Sequence, residues 1–154
     1  MTEPGTLDGG DVLQLGKTLY VGMTDRTNEA GIKQLAAFVS SNGYRITTIP
    51  VKGCLHLKSA VSLACEETLL VNRSWVDTKP FDTMEFIDID PAESFAANAL
   101  LVGGELVYPA NYPKTLQRLE EKGIPVRAVD VSELQKAEGG VTCCSLIFEK
   151  DYLI

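Results

Sequence analysis

The sequence predicts an α/β fold assembled from repeated β-β-α-β units. Three observations carry that expectation. Apolar runs come in pairs joined by short turns, a helical or part-helical segment follows each pair, and a strand-like run closes each unit. In the first unit the runs at 12–15 and 18–22 flank Gly16-Lys17 and read as a hairpin. Thr27-Asn28 opens a helix that places Ile32, Leu35, Ala36 and Val39 on one face and stops at Gly43. The β-branched run at 44–49 closes the unit. The second unit has strands at 61–64 and 68–71, a short helical turn at 74–77 and a strand at 84–89. The third has strands at 98–102 and 105–108 joined through Gly103-Gly104, a helix at 112–122 ended by Gly123, and a strand at 125–129. A short helix at 132–136 and a strand at 142–148 complete the expected order. A doubly wound sheet would place single strands between helices, and the hairpins count against it.

The bulk properties narrow the function classes. A chain of 154 residues, 45% hydrophobic and 23% charged, suits one domain with its own core. A net charge of −7 with scattered Lys and Arg disfavours a nucleic-acid groove. No apolar run approaches the roughly 18 residues that a bilayer span needs. The acidic start Met1-Thr-Glu-Pro-Gly-Thr has no signal-peptide pattern, so a cytoplasmic placement is expected, without membrane contact. Cys54, Cys65, Cys143 and Cys144 do not form a secreted disulfide framework. In a reducing compartment such cysteines are core residues, metal ligands or nucleophiles.

Four places could carry chemistry. His56, the only histidine, follows a strand end and a glycine, where a side chain can reach a cleft. Cys143 follows Glu138-Gly-Gly-Val-Thr, a turn whose glycines allow either close backbone approach or positive φ. If Cys143 begins a strand and faces a cleft, Cys144 faces the other side. Asp8 and Asp11 sit in Asp8-Gly-Gly-Asp11, which reads either as turn chemistry or, for Asp8, as the third group that fixes a histidine base. Arg26, between a strand and a helix, is either a solvated side chain or a bidentate grip on a carboxylate. Cys54, His56 and Cys143 together are an alternative set of zinc ligands, weakened by the lack of a local Cys-x-x-Cys.

Six stretches, in order, resemble the dimethylarginine dimethylaminohydrolases of the guanidine-modifying superfamily, which also holds arginine deiminases and amidinotransferases. They are Leu7-Asp-Gly-Gly-Asp-Val12, Gly16-Lys-Thr-Leu-Tyr-Val-Gly22, Arg26-Thr-Asn28, Leu55-His-Leu-Lys-Ser59, Ala96-Ala-Asn98 and Gly139-Gly-Val-Thr-Cys-Cys-Ser145. The resemblance implies a pentein, an α/β-propeller of five ββαβ modules, of which about three fit here. It implies that Cys143 is the nucleophile, His56 the general acid and base, and Asp8 the group that orients His56. Arg26 would bind the amino-acid carboxylate, and backbone around Glu138 to Val141 would line the same pocket.

It further implies hydrolysis of a methylated arginine to citrulline, with no metal or organic cofactor. Deiminases typically carry an acidic residue two positions after the histidine, where this chain has Lys58. That favours dimethylarginine, with an arginine deiminase-like reaction as the alternative. The acidic groups that the family's N-terminal modules supply have no counterpart before Asp8. The chain is therefore expected to be a fragment, a truncated gene product or one piece of a split enzyme. Little activity alone is expected, as is a homo-oligomer or a complementary N-terminal chain as partner. A non-catalytic half-propeller is the remaining alternative.

Overall fold

The hairpin-plus-crossover units are present in a computed structural model that describes residues 1–147. In the first unit β1 (Val12–Leu15) pairs antiparallel with β2 (Thr18–Met23), and Leu15 lies opposite Thr18 across the two-residue turn. Helix α1 (Glu29–Val39) then crosses over to β3 (Arg45–Pro50), which runs parallel to β2. Asn28 caps α1 by accepting from the Gly31 amide at 2.8 Å. A single helical turn, α2 (Leu57–Ala60), leads into the second unit. That unit consists of β4 (Val61–Cys65), β5 (Thr68–Val71) and β6 (Glu85–Asp88), again antiparallel then parallel.

The third unit repeats the pattern with β7 (Leu100–Val102), β8 (Glu105–Pro109), α3 (Pro113–Glu121) and β9 (Val126–Val129). Gly103 and Gly104 both have positive φ, 59° and 82°, as the tight β7–β8 turn demands. Helix α4 (Ser132–Lys136) follows. The three sheets form an open array and do not close.

The core lies between successive units, which explains why the central strands lack polar alternation. Leu69 and Val71 of β5 pack toward the first unit with Leu13, Tyr20 and Phe81. Leu70 points the other way, toward Leu106, Tyr108 and Leu119 of the third. A strand buried on both faces has no solvent side to mark with charges. Tyr20 stacks on Phe81 with ring centroids 4.5 Å apart. Ser62 ties β4 to the third unit, donating to Ala97 O at 2.6 Å and accepting from Ala99 N at 3.1 Å.

Helix α3 has no side-chain cap from its own preceding residue. Glu93 supplies one from a distant loop: its carboxylate accepts from Lys114 N (3.0 Å), Thr115 N (2.8 Å) and Thr115 Oγ1 (2.7 Å). An anionic cap at a helix N-terminus is worth about 1–2 kcal/mol. Glu93→Ala should therefore lower the melting temperature by roughly 2–8 °C, read by circular dichroism. An unchanged melt would show that the cap contributes nothing.

Two expected elements are displaced. The helical turn expected at 74–77 occurs at Lys79–Phe81. Asn72 Oδ1 takes the Ser74 amide at 3.0 Å in an Asx-type turn, and Val76 is drawn into a bridge with Val51. The strand expected at 142–148 is absent over its described part. Residues 141–144 form a turn, in which Cys144 N donates to Gly140 O and Ser145 N to Thr142 O. Those bonds use the amides a strand would offer a neighbour, and Cys143 and Cys144 are both exposed. Residue 148 lies outside the described residues. Among the described residues no helix is long and apolar enough to cross a membrane.

Candidate active site

The site begins with a buried carboxylate. Asp11 is fully buried, and Oδ2 accepts from Thr24 Oγ1 at 2.7 Å and Thr27 Oγ1 at 2.6 Å. Its Oδ1 accepts from Leu57 N, the first amide of α2, at 2.9 Å. Thr27 Oγ1 in turn accepts from Asp8 N at 3.0 Å. One side chain thus holds together the Asp8 loop, the β2–α1 loop and the helix that starts beside His56. Turn chemistry does not account for Asp11. Its sequence signal was the pair of nearby threonines, Thr24 and Thr27, which supply hydroxyl donors.

Asp8 and His56 meet. Asp8 Oδ2 lies 3.1 Å from His56 Nε2, with Asp8 about half exposed and the imidazole mostly covered. The approach has ion-pair distance without hydrogen-bond alignment. Among the described residues Nε2 is the one buried side-chain nitrogen or oxygen with no aligned partner. A polar atom left in that condition is uncommon in a folded protein. Gly10 covers a face of the ring: a Cβ there would come within 2.6 Å of His56 Cγ.

The Gly10 amide, 3.3 Å from Asp8 Oδ1, holds the Asp8 carboxyl below its ordinary range, and the His56 contact adds to this. A depressed carboxylate stabilises the fold above the ordinary value of 3.8 and loses that contribution as pH falls through its own lower value. The stability gap between wild type and Asp8→Asn should therefore be open at neutral pH and close only below pH about 4. Thermal melts across pH check this, and a gap independent of pH would contradict it.

A cleft of about 790 Å³ has walls that include His56, Cys143, Glu138, Asn98, Tyr112 and Phe95. Such a volume suits a small molecule. The structure brings His56, Cys143 and Glu138 to this cleft, with Asp8 behind the imidazole. Arg26 is exposed and is not part of the wall, which its neighbour Asp25 joins; its charge is felt at Asp8. The Val141 side chain is buried behind the cleft surface.

Positive φ falls on Glu138 (57°) rather than on the glycines after it. The glycines provide close approach instead: a Cβ on Gly140 would collide with Asn98 Oδ1. Cys54 also lines the cleft, but its Sγ donates to His56 O at 3.3 Å and burial pushes its thiol up to about 11. That protonated thiol is a poor metal ligand or nucleophile. Lys58 is half-buried; burial lowers its ammonium, and the charges of Cys143, Asp11 and Asp8 oppose that effect.

Comparison with known proteins places this geometry in a family. Residues 1–101 match the family model described as arginine deiminase. The chain is 43% identical over 150 residues to an N(G),N(G)-dimethylarginine dimethylaminohydrolase of Streptomyces coelicolor, covering 97% of this chain and 57% of that protein. It is 34% identical over 145 residues to the enzyme of the same name from Pseudomonas aeruginosa, covering 94% and 57%. A solved structure of the Pseudomonas enzyme, a cysteine-to-serine mutant complexed with citrulline, superposes with a TM-score of 0.88 at 32% identity, covering 96% of this chain and 58% of that one. An inosamine-phosphate amidinotransferase from Streptomyces griseus shares the fold at 20% identity and a TM-score of 0.81, over 93% and 46%. The chain spans little more than half the length of the curated relatives it matches. With its repeated ββαβ units and two-thirds of its length matched by the model, the chain belongs to the arginine deiminase family within the guanidine-modifying superfamily.

Proposed function

We propose that Cys143, His56 and Asp8 form the reacting centre of a hydrolase that converts dimethylarginine to citrulline and dimethylamine. The observation that carries this reading is the shared cleft: its lining includes the exposed thiol of Cys143 and the lone imidazole, and Asp8 stands 3.1 Å from that imidazole. Two relatives named for this activity, at 43% and 34% identity, support it.

The guanidinium carbon is a weak electrophile, so a thiolate suits the attack. The Cys143 sulfur bonds to that carbon, the bond to the dimethylamino nitrogen breaks, and His56 gives the leaving amine its proton. A thiouronium ester remains. His56 then takes a proton from water, the resulting hydroxide adds to the carbon, and the carbon–sulfur bond breaks to release the thiolate and citrulline, whose former hydroxide oxygen gives its proton to solvent. Acid–base assistance of this kind contributes about 10²–10⁴-fold. Asp8 keeps the imidazole oriented through both steps. Arg26 grips the substrate carboxylate, and the backbone from Glu138 to Val141 lines the pocket. Lys58, where deiminases of the superfamily carry an acid, favours the methylated substrate over arginine. The protein works in the cytoplasm, in keeping with four free cysteines.

The acidic groups that would hold the guanidinium have no counterpart before Asp8, and a misplacement of about 1 Å costs on the order of 10²-fold in rate. The 154-residue chain alone should therefore release citrulline from dimethylarginine very slowly. A complementary N-terminal chain, or a second copy of this one, should raise the rate. Citrulline and dimethylamine, assayed together, test both parts. Fast turnover by the chain alone contradicts the need for a partner. No citrulline under any of these conditions contradicts the assigned reaction.

A further inference from the structure

We propose that Asn98 is a positioning residue that sets the spacing between Cys143 and His56; this rests on reading those two as the reacting pair. Asn98 is a buried amide, 8% exposed, at the start of the third unit. Its Nδ2 donates to Lys58 O at 2.9 Å and to Thr142 Oγ1 at 2.7 Å, and its Oδ1 accepts from Thr142 N at 3.4 Å. Lys58 lies on α2, two residues past His56, and Thr142 immediately precedes Cys143. Both amide hydrogens and the carbonyl oxygen are therefore engaged, and they bridge segments more than 40 residues apart in sequence.

The bridge has a rigid base. The flanking residues Ala97 and Ala99 are both hydrogen-bonded to Ser62 of β4, the strand that directly follows α2. Among the described residues the Cys143 turn has no comparable hydrogen-bonded support beyond Asn98. The other hydrogen bonds described for residues 140–145 stay within the turn: Cys144 N to Gly140 O, Ser145 N to Thr142 O, and Ser145 Oγ to Val141 O. Gly140 leaves room for the amide, since a Cβ there would occupy the place of Asn98 Oδ1. A turn held this way keeps its thiol at a fixed distance from α2 only while the amide is intact. A loosened tether would cost rate through geometry rather than through lost chemistry.

His56 is the only histidine, so its two imidazole C–H signals form a spectrum of their own. The test uses the full chain with Cys144→Ser, leaving Cys143 as its one exposed thiol among the described cysteines. Cys143 is tagged as a methyl disulfide, and the His56 proton–carbon signals are recorded before and after. With Asn98 present, the tag should shift those signals. With Asn98→Asp, which keeps the shape and loses both amide donors, the shift should vanish while the circular dichroism stays native. Thr142→Val cuts the same bridge from its other end without altering the buried amide, and should weaken the response even if the Asp variant fails to fold.

A tag-induced shift that persists in a folded Asn98→Asp chain, or that is undiminished in a folded Thr142→Val chain, overturns the tether, as does a parent chain whose His56 signals ignore the tag. If the shift is present and lost as expected but citrulline never forms from dimethylarginine, the tether stands and the assigned reaction fails.

Discussion

Cys143→Ser should abolish citrulline formation, a loss on the order of 10⁴-fold or more, with little change in stability. A hydroxyl is a far weaker nucleophile than a thiolate, and replacing a covalent nucleophile removes the step that the rest of the site serves. Cys143 is exposed on a turn, and among the described residues its Sγ has one hydrogen-bonding neighbour, the adjacent Thr142 hydroxyl at 4.0 Å. Exposed substitutions of this kind usually move stability by less than about 0.5 kcal/mol. Thermal melts and a citrulline assay on the same preparation, supplemented for signal with the N-terminal part of a longer relative, separate the two effects. A Ser variant with full turnover would remove Cys143 from the mechanism.

Asp11→Ala should be the most destabilising single change at the site. Three donors converge on this buried carboxylate, and one of them, the Leu57 amide, is backbone and cannot turn elsewhere. Stranding a buried donor costs about 1–3 kcal/mol. The two threonine hydroxyls can rotate and recover part of the loss. A net cost of about 2–4 kcal/mol follows, or roughly 5–15 °C in melting temperature. Asp11→Asn should fall between, because its amide oxygen can still accept from Leu57 N. Calorimetry on the two variants tests the ranking; an Ala variant that melts with the wild type would mean that the network adds no stability.

The repeated units were legible in the sequence because the turn residues and apolar pairs are local signals. Gly103-Gly104 marks a hairpin whatever surrounds it, and Tyr112 to Gly123 brackets α3 from both ends. The segment after Glu138 was misread for the opposite reason. Val141, Thr142, Cys143 and Cys144 have strand-like side chains, but Thr142 N is taken by Asn98, 44 residues away. Local propensity cannot register a competitor so distant in the chain.

The candidate residues divide in the same way. His56, Cys143 and Asp8 stood out by residue type and motif; His56 and Cys143 line one cleft, and Asp8 lies 3.1 Å from the imidazole. Asn98 was noticed only as part of a motif, and Asp11 only as a turn residue. Their importance lies in partners distant in the chain, Lys58 and Thr142 for Asn98 and the Leu57 amide for Asp11, which no spacing rule exposes. Arg26 was legible as a carboxylate grip from its residue type and loop position, and the fold sets it beside the cleft-lining Asp25, close enough for its charge to act on Asp8.

Competitive labelling tests the proposal that Cys143 and the imidazole share a cleft fit for a guanidinium-like cation. The full chain is treated with a haloalkyl amidine, which is cationic, and separately with neutral iodoacetamide, and each cysteine is read by peptide mass spectrometry. Cys144, also exposed and adjacent, serves as an internal control. The amidine should label Cys143 far faster than Cys144, His56→Ala should erase that preference, and iodoacetamide should hardly distinguish the two. Equal amidine labelling of Cys143 and Cys144, indifferent to His56, would contradict a common site.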